Sequence, residues 1–128
     1  MKIQQHCIYN LPFSYTRISE KQNEIEFKGV LSYHVINLEQ LKSTTKGQLE
    51  LNSVNIFLFF RVQRNIDFIL KDVDESEIVT NRPVMINRLK IILRRELEEI
   101  GLELVDFKRI SLWAYGAADK ANDRGVSI

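Results

Sequence analysis

One cysteine, two prolines and five glycines in 128 residues leave this chain poor in the residues that staple, break or loosen a fold. A lone Cys7 forms no intrachain disulfide, which excludes a secreted disulfide scaffold and makes a reducing compartment the simpler expectation. Cys7 is expected to behave as a small apolar residue in an early strand. An excess of one charge is missing too: 18 basic against 17 acidic residues give a net charge of +1. That balance builds no strong positive field of the kind nucleic-acid affinity rests on. The longest apolar run, Ile56 to Phe60, falls far short of the roughly 20 residues of a spanning helix. Met1 to His6 is polar, unlike a signal peptide, and Gly125 to Ile128 carries no lipidation signal. The glycines are scattered, so no phosphate-cradling loop forms.

What is present is the composition of a folded domain, 45% hydrophobic and 27% charged. A chain of this length buries roughly two thirds of its unfolded surface, enough for a core without staples. The expected organisation is a single α+β domain over 1–113, then a short C-terminal helix or mobile tail over 114–128.

The first third reads as strands. Cys7-Ile8-Tyr9 is short and β-prone, and Asn10-Leu11-Pro12 predicts a break. Phe13, Tyr15 and Arg17 alternate with smaller residues, and Ser19 to Asn23 suits a hairpin loop. Glu24 to Phe27 alternates polar and apolar, Gly29 marks a bulge or a close approach, and Val30 to Ile36 continues as a strand. Asn37 is placed to cap a short helix carrying Leu38 and Leu41. Val54, Leu58, Val62, Ile66 and Leu70 recur every four residues, which predicts a helix over Leu49 to Lys71. Its middle is apolar nearly all round and should be covered on most sides.

Asp72 to Glu77 reads as an acidic connection, and Pro83 suits a first helical turn. Ile86, Leu89, Leu93, Leu97 and Ile100 share one face of a helix over Val84 to Ile100, widened by Met85 and Ile92. Arg94 with Glu98, and Arg95 with Glu99, are spaced for ion pairs along it. Gly101 stands where a left-handed cap is expected. Leu102 to Ile110 then reads as a strand with Leu102, Leu104 and Phe107 inward. The fold class is α+β, an antiparallel-rich sheet with two longer helices packed against it.

The inventory for chemistry is sparse. His6 and Cys7 are adjacent, His34 stands alone, and no second ligand lies at metal spacing. His34 as a general base would need a carboxylate and a nucleophile, and no nucleophile motif accompanies it. Asp72, Asp74, Glu75 and Glu77 lack the spacing of a calcium loop. No catalytic residue, metal or cofactor is expected. Arg82, Arg88, Lys90, Arg94 and Arg95 lie on or near one helix and offer a face for nucleic acid or anionic lipid, diluted by Glu96, Glu98 and Glu99. Trp113 and Tyr115 offer aromatic anchors for a partner, or cover for the end of the core. Tyr33, Phe57 and Phe60 are candidates to line a small-ligand or enzyme pocket.

One segment, Gly29-Val30-Leu31-Ser32-Tyr33-His34-Val35-Ile36-Asn37-Leu38-Glu39-Gln40-Leu41, resembles the strand and short helix of SPFH (band 7) domains, the stomatin, prohibitin and flotillin group. Ile86 to Ile110, above all Leu97-Glu98-Glu99-Ile100-Gly101-Leu102-Glu103-Leu104-Val105-Asp106-Phe107, is similar to that family's long helix, glycine cap and final strand. The flavour is that of the soluble, virion-core-like bacterial branch, and the likeness covers about residues 24 to 112. The sequence departs from the family in having neither the N-terminal membrane anchor nor the long coiled coil that usually follows. The resemblance implies a cytoplasmic, non-enzymatic domain that forms homo-oligomers and organises other proteins, with membrane association through partners and nucleic acid disfavoured. No functional residue carries over. The residues left as candidates for interaction are Arg88, Arg94, Arg95, Trp113 and Tyr115.

Overall fold

A computed structural model describes residues 1–19, 23–71, 73 and 75–115, Val79 by its backbone alone. The elements are β1 (Tyr9–Ile18), β2 (Glu24–Val35), α1 (Leu38–Thr44), α2 (Leu51–Leu70), α3 (Glu75–Glu99) and β3 (Leu102–Tyr115). The strands form one antiparallel sheet in the order β1-β2-β3. The fold class is therefore α+β, with α2 against β1 and α3 against β3.

Alternation decides which sheet face is covered. Tyr9, Leu11, Phe13 and Tyr15 of β1, and Ile25, Phe27, Leu31, Tyr33 and Val35 of β2, point to the helices and are buried. Asn10, Ser14, Thr16 and Lys28 point the other way and are exposed. The break expected at Asn10-Leu11-Pro12 is absent, and β1 runs straight through Pro12. An edge strand tolerates proline because one side of its ladder has no partner strand to serve.

The last strand is longer than its sequence suggests. It runs to Tyr115, and Glu24 and Ile25 pair with Tyr115 and Ala114. Ala114 and Tyr115, expected to open a helix or tail, thus belong to the strand, and 116–128 lie outside the described residues. Two irregularities re-phase this strand. Tyr33 pairs with Leu104 and Ser32 with Asp106, so Val105 bulges out and the inward set becomes Leu102, Leu104 and Phe107. A second slip lies opposite Gly29, where Arg109 has φ of 55° and Leu112 is the next inward residue. A Cβ on Gly29 would stand 2.5 Å from Ile110 Cδ1 and 3.0 Å from Phe13 Cζ, so the glycine makes room for both side chains.

The helices follow their apolar rows. Val54, Leu58, Val62, Ile66 and Leu70 of α2 are buried, as are Met85, Leu89, Leu93 and Leu97 of α3. Asn37 Oδ1 accepts from Gln40 N at 3.0 Å and caps α1. The acidic connection is shorter than expected, because Glu75 and Glu77 form the first turn of α3, where negative charge is favoured. Asp72 and Asp74 lie outside the described residues. Asn81 has φ −118° and ψ 22°, so α3 kinks there and Pro83 falls just after the kink, in the first turn of the restarted helix. Gly101 has φ of 89°, and its carbonyl accepts from Ile36 N (2.9 Å) and Asn37 N (3.0 Å). The helix end is thereby tied to the junction of β2 and α1.

Candidate interaction surface

Five residues of α2 stand outward at spacing four: Asn52, Ile56, Phe60, Arg64 and Phe68. The buried row of the same helix is offset from them by two positions, which is about 200° around the axis. Water therefore meets Ile56 (59% exposed), Phe60 (67%) and Phe68 (65%). This overturns the expectation that the apolar middle of the helix would be covered on most sides. A three-stranded sheet flanked by one neighbouring helix covers only one side of α2, and the surplus apolar side chains remain outside.

An open hollow of about 430 Å³ lies along one flank, lined by Leu11, Asn52, Asn55, Ile56, Phe59 and Phe60. Another of about 400 Å³ lies where α2 meets the end of α1, with Ile56 and Phe57 in its wall. Phe59 and Phe60 meet edge-on at 6.2 Å, and Arg61 lies 4.9 Å over the Phe57 ring.

Hydrogen bonds tie the helix to the sheet from below. Tyr33 Oη donates to Asn55 Oδ1 at 2.5 Å and Tyr15 Oη to Asp67 Oδ1 at 2.8 Å. Burial pushes both phenols up, Tyr15 to about 12 with help from the Asp67 carboxylate, and Tyr33 further. Between the helices, Arg61 meets Glu96 at 2.7 Å while Asn65 Nδ2 donates to the other carboxylate oxygen at 3.3 Å.

Both sheet edges are partly closed. Gln63 Nε2 donates to the Ser14 carbonyl at 2.8 Å on β1, and Arg82 Nε to the Leu112 carbonyl at 2.6 Å on β3. Helix side chains and Pro12 thus occupy places where an added strand would pair.

The residues singled out by sequence do not form one site. Arg88, Arg94 and Arg95 are exposed on α3. Among the described residues none of them forms an ion pair, so the expected pairs with Glu98 and Glu99 are not made. Arg82 leaves that face and stacks 3.9 Å over Trp113. Trp113, 46% exposed, and Tyr115 are among the last residues of β3 rather than beyond it. Tyr33, Phe57 and Phe60 do not line a common pocket: Tyr33 is fully buried under α2, Phe57 half-buried and Phe60 outward.

His34 Nε2 lies 2.7 Å from Glu103 Oε1, a cross-strand pair on the open sheet face. The next hydroxyl on that face, Ser32, donates to Asn10 Oδ1 at 2.6 Å. Cys7 is exposed beside a turn at His6 (φ 78°), not packed in a strand as expected. Among the described residues no cluster of His, Cys, Asp and Glu is arranged to hold a metal, and no helix is long and apolar enough to cross a membrane. No protein-family model matches the chain, and comparison with curated proteins finds no relative.

Proposed function

We propose that this chain is a non-enzymatic, oligomerising interaction domain whose working surface is the outer face of α2. One observation carries the reading: Ile56 and Phe60 stand in water on a helix bonded to the sheet, beside an apolar hollow and rimmed by Asn52, Asn55 and Gln63. Burying such a side chain is worth roughly 1.5–3 kcal/mol, which the folded monomer forgoes. Contiguous apolar patches with polar rims mark association sites.

The order of elements supports membership of the SPFH group, in the soluble virion-core-like branch. An antiparallel strand runs into an Asn-capped short helix, two long helices follow, and a glycine cap feeds the last strand. Such a scaffold binds copies of itself and other proteins, sits in the cytoplasm in keeping with its single cysteine, and meets membranes through its partners. Light scattering from micromolar to submillimolar protein tests the reading. A mass rising above the 15.0 kDa of one chain is expected, and a strict monomer throughout removes the proposal.

A second reading, a polyanion-binding face, is favoured by the unpaired arginines Arg88, Arg94 and Arg95. It expects binding to single-stranded RNA or anionic vesicles that weakens steeply with salt and is lost in Arg88→Glu/Arg95→Glu. No binding at low salt dismisses it.

A further inference from the structure

The two halves of β3 guard their outer edge in different ways. Among the described strands β3 pairs with β2 alone, so its other edge has no strand partner. Such an edge accepts a further strand unless charge, a bulge or a cover stops it. Over 102–109 the strand protects itself: Glu103, Asp106, Lys108 and Arg109 stand exposed, Val105 bulges out, and Arg109 has φ of 55°. Over 110–115 it reads Ile110-Ser111-Leu112-Trp113-Ala114-Tyr115, with no charge, proline or glycine. About six such residues of high β-propensity mark a segment that stacks on its own kind. Natural strands of this composition are usually flanked or interrupted by a charge.

Here the charge comes from another element. Arg82 Nε donates to the Leu112 carbonyl at 2.6 Å, and its guanidinium lies 3.9 Å over the Trp113 ring. One side chain thus holds both the backbone and an aromatic ring in the middle of the uncharged stretch. Arg82 stands between Asn81, where α3 kinks, and Pro83, so the helix restarts at the residue that reaches β3. Its presence opposes a further strand in two ways. It takes a backbone acceptor on β3, and an arriving strand would have to bury the guanidinium.

We propose that Arg82 is an autoinhibitory latch on β3: while it is seated the 110–115 edge stays closed, and without it that edge pairs with the same six residues of a second copy. Antiparallel pairing of this stretch joins uncharged residues to their like and leaves Lys108 and Arg109 outside it. The latch is independent of the outer face of α2, because it governs the backbone of β3.

Sedimentation velocity and hydrogen exchange of the backbone amides test the latch, with circular dichroism to show that each variant is folded. Arg82→Ala should gain mass over the wild type, and exchange over 110–115 should slow at least about tenfold as it does so, because the added strand takes up those amides. Assembly of the wild type through α2 would leave the same amides unchanged. Arg82→Ala/Trp113→Lys puts a charge back on the stretch and should return the wild-type mass; Trp113 stands opposite Glu26, which gives the lysine a carboxylate to meet. Should the alanine variant unfold, Arg82→Met carries the same test, since it keeps the length of the side chain without the donor or the charge. A folded variant with the wild-type mass overturns the latch. So does assembly that leaves exchange over 110–115 unchanged, or that the added lysine does not reverse.

Discussion

The two long helices lie on the same face of the sheet and turn very different sides to water. Inward they are alike: Val54, Leu58, Val62 and Ile66 of α2, and Leu89, Leu93 and Leu97 of α3, are all buried. Outward, α3 presents mostly polar and charged groups, Asn87, Arg88, Arg94, Arg95, Glu98 and Glu99, with Val84 (58% exposed) and Ile91 (48%) set singly among them. α2 presents Ile56, Phe60 and Phe68. A surface helix needs only one apolar stripe to fold, and the second stripe on α2 keeps Ile56, Phe60 and Phe68 more than half exposed, with Phe60 edge-on to Phe59 and Lys71 over Phe68. The contrast is the ground on which the outer face of α2 is proposed as the interaction surface.

The sharpest way to break the contrast is to truncate both sides of α2. Leu58→Ala removes a fully buried side chain and should cost about 2–5 kcal/mol. Phe60→Ser, two positions on, should change monomer stability by no more than about 0.5 kcal/mol. Urea unfolding of dilute protein gives both values. A Phe60→Ser loss near that of Leu58→Ala would mean that the outer stripe is core after all.

Alkaline pH tests the inner side by another route. Tyr15 and Tyr33 hold α2 to the sheet, and burial raises both phenols, Tyr15 to about 12. In the unfolded chain they ionise near 10. Below that pH both states keep their protons and the stabilisation is whole. As pH climbs from about 10 to about 12 the unfolded state ionises first, so stability falls with pH. Urea midpoints at about pH 8 and about pH 11 measure the fall, and Tyr15→Phe should make it shallower. An unchanged slope in that variant would detach Tyr15 from the effect.

Between the helices the expected effect is smaller. Glu96→Ala leaves Arg61, Arg64 and Asn65 without their shared carboxylate in a part-buried seam. A loss of about 1–3 kcal/mol is expected, most of it the cost of the stranded donors. Glu96→Gln should recover part of it by keeping the Asn65 contact. Equal losses in the two variants, read from thermal or urea unfolding, would assign the effect to the charge alone.

Much of this was legible in the sequence, and the misses share a cause. The rows at spacing three and four located both long helices, and Gly101 marked the end of one and the start of β3. Strand limits were read less well, because Pro12 sits on an edge strand and two bulges reset the alternation of β3. Those are properties of position in the sheet, not of local composition. The surface on α2 was present as a second row two residues out of phase with the first, Asn52 to Phe68. It was read as more core because apolar residues announce burial without saying by what. The arginines of α3 were read as paired with Glu98 and Glu99 from spacing alone, yet exposed long side chains gain too little to hold that geometry.

That last point yields the smallest expected effect and sharpens the comparison from the α3 side. Arg95 and Glu99 are spaced for an ion pair that the structure does not make. Arg95→Ala and Glu99→Ala should each shift stability by no more than about 0.5 kcal/mol, and their double-mutant coupling should lie near zero at low and high salt. Urea midpoints of the two single variants and the double variant give the coupling directly. A coupling above about 0.5 kcal/mol that salt abolishes would show the outer face of α3 to be a structural network. In that case the two outer faces would differ only in the kind of contact they make, charged on α3 and apolar on α2.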